Sequence, residues 1–512
     1  MSESKSYYSK KRVKKSFIHY LAGKGISSIA AFSVAIILVR EMQISDFAGY
    51  IVLSGLVSVM IVITNMGMER IIPKYFSEFR QVDAQYELFH LNRSLLVFKA
   101  FALFFIAAFF LLFSVPILQW FSIPYSVSLV VAFVCYVFLY GISKYLIVSL
   151  QALLLQKEAT IGLSIEWISK LLIILFVLFS YGELNLLFVT IVQVIALFFG
   201  VMYMFFSLSR NLIFCELSEG SIKDKVVDKE LIEYGLHNYA QTLAGFHTAP
   251  PVNKLLAGAL LAGPSVAALG FAYSLLGAIQ RYLPANLFLG LIEPMLMAKY
   301  STSKDFKQTS LISGLLLKIN MFVLIPATLW VLICSSPLLL AITKGKYHES
   351  NLILSTLLLI LILESHRGVL QLICNTVGQS SLLLRSNLWS LCFFPFVLLL
   401  THHYLLPGLL FSIIFISFFR VVYLTVQLSL ASYKIRTDWV AIFKMVVLSC
   451  FVIFITNYIS LILFEVPTLI SSLISLLFSV MVYLFLAFFL KPFLRNEREV
   501  LNGFVGKKVF VW

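Results

Sequence analysis

Apolar residues along this chain come in long unbroken runs separated by short polar stretches. Runs such as Leu171–Ser180 and Phe101–Phe113 show neither the alternation of a half-buried strand nor the polar face of a soluble helix. A helix crossing the hydrocarbon core needs about 20 mostly apolar residues. Windows of that size predict about fourteen membrane helices, at 17–40, 47–68, 94–115, 126–150, 160–180, 186–208, 233–256, 265–298, 311–334, 350–372, 382–402, 407–430, 441–463 and 469–491. A membrane β-barrel would instead show alternating segments of about ten residues. The fold class is therefore all-α, a polytopic membrane protein.

Composition agrees. Of 512 residues, 60% are hydrophobic and only 12% charged, where a soluble domain carries about 25% charge. Disordered, collagen-like and disulfide-scaffold chains are excluded by the same numbers. The six cysteines are scattered singly, with no spacing for a metal site or a disulfide frame. Neither metal nor cofactor is expected.

The net charge of +15 would suggest nucleic acid on a soluble protein. Here its distribution gives topology instead. With the N-terminus in the cytoplasm, 26 of the 39 Lys and Arg fall in cytoplasmic segments and only Arg40, Lys344 and Lys346 on the opposite side. Such a split requires an even number of spans and both termini inside. The expected organisation is a basic N-terminus (1–16), a first lobe of six helices (17–208), a charged connector (209–232), a second lobe of six (233–430), a further helix pair (431–491) and a basic tail (492–512). Gly49 and Gly270, Asn65 and Asn286, and Pro73 and Pro294 each lie 221 positions apart, which fits two pseudo-symmetric halves. The longest outer loop, about 335–349, is too short for an external catalytic domain, so the protein is not expected to be an enzyme. A membrane glycosyl polymerase or ligase would carry a large external loop.

Ionisable residues inside a membrane usually face a cavity or a partner. Lys99, Lys144, Lys318 and Lys444 lie toward predicted cytoplasmic ends and are expected to snorkel to the interface. Lys24, flanked by Gly23 and Gly25, reads as a cavity-facing cation. Arg281 and Arg420 lie deep in the eighth and twelfth spans, and Lys254 follows Pro250, Pro251 and Asn253 in the seventh. That seventh span is the least hydrophobic, with His237, Asn238, Gln241 and His247. Its double proline should break the helix, as suits a gating element beside a water-filled cavity. Glu166 with Lys170 (i,i+4) and Glu364 with Arg367 (i,i+3) read as structural pairs or ion-coupling sites, and Glu293 and Glu364 are candidate partners for the deep arginines. Ten cations lie in the spans, with Glu166, Glu293 and Glu364 the deep carboxylates. Such a balance favours an anionic cargo, a phosphate or pyrophosphate, over an organic cation.

The run Gly23-Lys24-Gly25-Ile26-Ser27-Ser28, then Arg40, Asp46-Phe47-Ala48-Gly49-Tyr50 and Asn65-Met66-Gly67-Met68-Glu69-Arg70 resembles the opening of the polysaccharide-transport flippases. These belong to the multidrug/oligosaccharidyl-lipid/polysaccharide exporter superfamily. The resemblance implies two six-helix lobes around a central cavity. It further implies a flippase carrying undecaprenyl-pyrophosphate-linked oligosaccharide (an O-antigen of lipopolysaccharide, a capsule or an exopolysaccharide unit) across the bacterial inner membrane. Lys24, Lys254, Arg281 and Arg420 would be substrate-binding cations. Membrane lipid, a coupling H+ or Na+ ion, and the glycan polymerase and chain-length machinery would be partners, and nucleic acid would not. Many relatives have twelve spans, and the seventh helix often carries an acidic residue where this chain has Asn253. A cation-coupled multidrug exporter of the same superfamily is the alternative, and it needs an unpaired carboxylate.

Overall fold

The computed structural model describes residues 10–81, 84–216, 229–283, 296, 297, 300, 304–435, 437–463 and 468–505. Glu293, Asn286, Pro294, and parts of the N-terminus, connector and tail lie outside them. The described residues form eighteen helices: α1 (Lys10–Glu41), α2 (Ile44–Ile63), α3 (Met68–Gln81), α4 (Gln85–Trp120), α5 (Val127–Ala152), α6 (Gln156–Tyr181), α7 (Leu186–Glu216), α8 (Lys229–Phe246), α9 (Pro250–Leu260), α10 (Gly263–Tyr282), α11 (Phe306–Cys334), α12 (Ser336–Ile342), α13 (Ser350–Thr376), α14 (Ser381–Leu391), α15 (Phe394–Leu430), α16 (Trp439–Leu463), α17 (Leu469–Leu490) and α18 (Arg495–Val505). Among the described residues there is no strand beyond an isolated bridge between Met42 and Leu184. Eleven of these helices are long and apolar enough to cross a membrane. The protein is a multi-pass, all-α membrane protein.

Three of the fourteen expected segments take another form. The seventh divides: α8 ends at Phe246, and α9 begins with Pro250 and Pro251 in its first turn. Proline is at home there, because a first-turn N–H has no partner within the helix. The eighth appears as α10, ending at Tyr282, with residues 284–295 not described. The eleventh, 382–402, is split between the short α14 and the start of α15. Within α15 the chain turns sharply at Leu405 (φ 53°, ψ −135°), two residues before Pro407. Gly408 lies where an added Cβ would meet the Leu400 carbonyl oxygen at 2.1 Å, so the reversal closes only without a side chain.

The chain forms two compact units, residues 1–267 and 268–512. The sequence places the boundary in the connector 209–232, whereas the division falls within α10, and α8 and α9 pack in the first unit. In that unit Ile72 and Phe76 of α3, Leu88 and Leu91 of α4, Leu146 and Leu150 of α5 and Met204 of α7 share one buried apolar cluster. Glycines let α8 and α9 approach. Gly67 (φ +84°) sits against the backbone of Gly235, where a Cβ would lie 2.3 Å from the Gly235 oxygen. Next to this contact the Tyr239 hydroxyl donates to the Ile63 carbonyl at 2.8 Å. In the second unit, Leu315–Leu317 of α11, Leu370 and Ile373 of α13, Leu424 and Leu428 of α15, Val452 of α16 and Tyr483 of α17 form the corresponding cluster.

Two of the four lysines expected to snorkel do not. Lys99 is only 2% exposed and donates to the Thr64 hydroxyl at 3.0 Å. Lys318 is 3% exposed and is held by Asp438 at 2.7 Å and Glu497 at 2.8 Å, just before α16 and within α18. The carboxylates come to the lysine, so its stem need not reach for the interface. Lys144 and Lys444 are exposed. Burial pushes the Asp438 carboxyl up, but the hydrogen bonds from Lys318 and the Ala441 amide outweigh it and hold the carboxyl below its usual value.

Two outcomes are expected for the purified protein. Gly67→Ala should lower the unfolding midpoint, since a left-handed alanine costs about 1–2 kcal/mol before the clash with Gly235 is counted. Gly277→Ala, with nothing within 4 Å of its added Cβ, is the control and should leave the midpoint unchanged or higher. Equal midpoints for the two variants would refute the close approach. Lys318→Met should cost about 3 kcal/mol, as breaking a largely buried ion pair does. Because the folded Asp438 titrates below its unfolded value, its contribution is present above about pH 4 and lost as pH falls below it. That acid loss should flatten or invert in Lys318→Met, as read from unfolding midpoints between pH 3 and 7.

Candidate functional site

The predicted site residues fall into three groups, two in the first unit and one in the second. The first group is built on α2. Gly55 and Gly258 thin the interface between α2 and α9, so that Leu255 and the Pro251 carbonyl come close to Gly55, and Val52 to Gly258. This close approach carries Lys254 to Ser54, whose hydroxyl accepts from the ammonium at 3.2 Å. The adjoining Asn253 is buried and donates through Nδ2 to the Thr248 carbonyl, bridging the break between α8 and α9. Asn253 is thus tied to backbone. On α8, Asn238 donates to the Tyr234 carbonyl and the His247 ring lies 3.0 Å from the Ala244 carbonyl oxygen. His237 and Pro250 are exposed; Gln241 and Pro251 are half-buried. Lys24 is half-buried on α1, where Gly23 fits against Thr160 of α6.

The second group surrounds Glu166 and Lys170, both buried one turn apart on α6. Lys170 and Lys144 of α5 are the cations that attract the Glu166 carboxylate. The Lys170 ammonium lies 4.9 Å above the Trp167 ring, and Lys144 lies 4.9 Å from the Tyr140 ring centre. Tyr136 stands beside Tyr140 with ring centres 5.6 Å apart.

The third group is in the second unit. Arg367 Nε donates to Glu364 Oε2 at 2.6 Å, which realises the predicted i,i+3 pair. The other oxygen, Oε1, accepts from the Ser417 hydroxyl of α15 at 3.0 Å. Arg420 is 3% exposed and donates to Asn387 Oδ1 of α14. Arg281, in contrast, is exposed in the last turn of α10. Sequence reasoning missed Ser54, Asn387 and Ser417. Small polar residues are common in membrane helices, and nothing along the chain ties these three to a particular charge.

Among the described residues no three of His, Cys, Asp and Glu gather as a metal site. What the groups offer is charge and hydrogen bonding. Lys254 is held by a neutral hydroxyl, whereas Lys170 and Arg367 face carboxylates. Histidine, asparagine and glutamine side chains on α8 can meet hydroxyl groups.

Comparison with known proteins finds the same fold. The lipid II flippase MurJ, in its inward closed conformation, aligns with 93% of this chain and 99% of its own at a TM-score of 0.64 and 15% identity. An inward-facing multidrug resistance MATE family transporter of the MOP superfamily covers 79% of this chain and 98% of its own, with a TM-score of 0.56 and 12% identity. The MATE transporter VcmN of Vibrio cholerae covers 82% and 98%, with a TM-score of 0.54 and 15% identity. At these identities the likeness is one of fold. No curated protein matches the chain significantly in sequence. The family described as "Polysaccharide biosynthesis protein" matches residues 13–288, more than half of the chain. The chain therefore belongs to the polysaccharide biosynthesis protein family of the multidrug/oligosaccharidyl-lipid/polysaccharide exporter superfamily.

Proposed function

We propose that this protein is a flippase that moves undecaprenyl-pyrophosphate-linked oligosaccharide across the bacterial inner membrane by alternating access, with both termini in the cytoplasm. The observation that carries this reading is Lys254. Its ammonium, on α9, donates to a hydroxyl, Ser54, and among the described residues not to a carboxylate. Its charge is therefore available to an anion. Lys24, Arg281 and Arg420 are the further candidate cations for the anionic headgroup. The sugars would meet His237, Asn238 and Gln241 of α8 and His247 just after it, and the break at 247–249 would let α8 move against α9. Family membership and the fold shared with a lipid II flippase support the same reading. The glycan polymerase and chain-length machinery would take the delivered product.

A cation-coupled drug exporter is the competing reading, because MATE transporters share the fold. Such an exporter needs a free carboxylate, and Glu364 is engaged at both oxygens. Glu166 is the described carboxylate through which a coupling H+ or Na+ would act.

Charge reversal separates the two. Lys254→Glu and Arg281→Glu should each insert normally in a deletion strain yet lower surface glycan at least about tenfold, since a charge-assisted hydrogen bond contributes about 1.5–3 kcal/mol. Undecaprenyl-linked intermediates should accumulate on the cytoplasmic face, and Lys254→Arg should restore much of the surface glycan. Full glycan assembly in both reversals would sink the reading.

A further inference from the structure

The third group contains more than a salt bridge. Glu364, Arg367 and Gln371 follow one another at spacings of three and four, and so share one face of α13. Arg367 reaches Glu364 at 2.6 Å and Gln371 Oε1 at 3.5 Å. From α15 come Ser417, on the second carboxylate oxygen, and Arg420; from α14 comes Asn387, which accepts from Arg420. From α11, Asn320 donates to the Ser365 hydroxyl beside them, and His366 is half-buried next to it. Among the described residues, two guanidinium groups therefore face one carboxylate. The side chains of Glu364 and Arg367 remain 26% and 25% exposed while Arg420 is 3% exposed. The cluster can thus be reached from its Glu364–Arg367 side, with Arg420 behind.

In this arrangement Glu364 fills the place of an oxyanion ligand: one oxygen on a guanidinium, the other on a hydroxyl donor, and a second guanidinium near by. A phosphate would use the same donors, because guanidinium forks pair with carboxylate and phosphate alike. To enter, it must displace a carboxylate that is tethered and so competes at a high effective concentration. A monovalent anion brings no more charge than it displaces and loses that exchange. A pyrophosphate brings more, and gains. We infer that Glu364 is a built-in counter-anion that reserves the Arg367–Arg420 pair for polyanionic headgroups, making it a specificity-determining residue. The identity of the headgroup rests on the function proposed above; the counter-anion role does not.

The full-length protein in lipid nanodiscs tests this with two probes, sodium nitrate and sodium pyrophosphate, titrated calorimetrically. Wild type should bind pyrophosphate at least about tenfold more tightly than nitrate, a difference of about 1.4 kcal/mol. Glu364→Gln should raise nitrate affinity about tenfold and erase most of that preference. Glu364→Asp keeps the charge but draws the carboxylate back from Arg367 and Ser417, and should shift nitrate affinity the same way by about threefold. This second variant decides the matter if Glu364→Gln fails to fold. Unchanged nitrate affinity in well-folded variants would overturn the inference. So would loss of both probes in Glu364→Gln, which would make Glu364 part of the site's construction. If wild type binds neither probe while the variants gain nitrate, the counter-anion stands and the pyrophosphate reading falls.

Discussion

Hydrocarbon does not tolerate an unanswered charge, and much of this structure follows from that. Removing an ion from water costs several kcal/mol even after the protein relaxes. Among the described residues, three of the four buried cations are met by a group brought from elsewhere in the chain, and the fourth, Lys170, by Glu166 one turn away. Lys99 of α4 takes the hydroxyl of Thr64, at the end of α2. Lys318 of α11 takes carboxylates 120 and 179 residues away. Arg420 of α15 takes the amide of Asn387, 33 residues earlier. Such pairs add little net stability, yet each is costly to break, so they specify which helices must be neighbours.

Small residues determine how closely those neighbours approach. In lipid there is little hydrophobic drive between helices, and close backbone contact through glycine supplies van der Waals energy instead. Gly67 against Gly235 seats α8 on α3, and Gly55 with Gly258 seats α9 on α2. The second of these contacts also positions a charge. It sets Lys254 beside Ser54, leaving a cation with a neutral partner on a helix that begins at a proline pair. A chain break flanked by well-packed helices is where movement costs least, and the polar side chains of α8 lie directly before it.

Hydropathy made the class of fold legible, and the i,i+3 geometry of Glu364 and Arg367 could be read from spacing alone. Other features could not. The run 382–402 reads as one span, but the helix breaks at Cys392 and Phe393, between α14 and α15, which no apolar window registers. The expectation that Lys99 and Lys318 snorkel follows from their position along the helix. It fails because Thr64, Asp438 and Glu497 arrive from other helices and connections. Arg281 lies exposed in the last turn of α10.

By itself, the sequence determined that this is a helical membrane protein, that its deep cations outnumber its deep carboxylates, and that its opening resembles the polysaccharide-transport flippases. Those properties depend on residue type and spacing along one dimension. Only the tertiary structure decided which partner answers each charge. Lys254 ends on a hydroxyl, Lys318 between two carboxylates, and Arg367 on a carboxylate that stands where a phosphate would. The physical reason is range. A hydrogen bond or ion pair is made over about 3 Å, a distance set by which helices pack together rather than by separation along the chain.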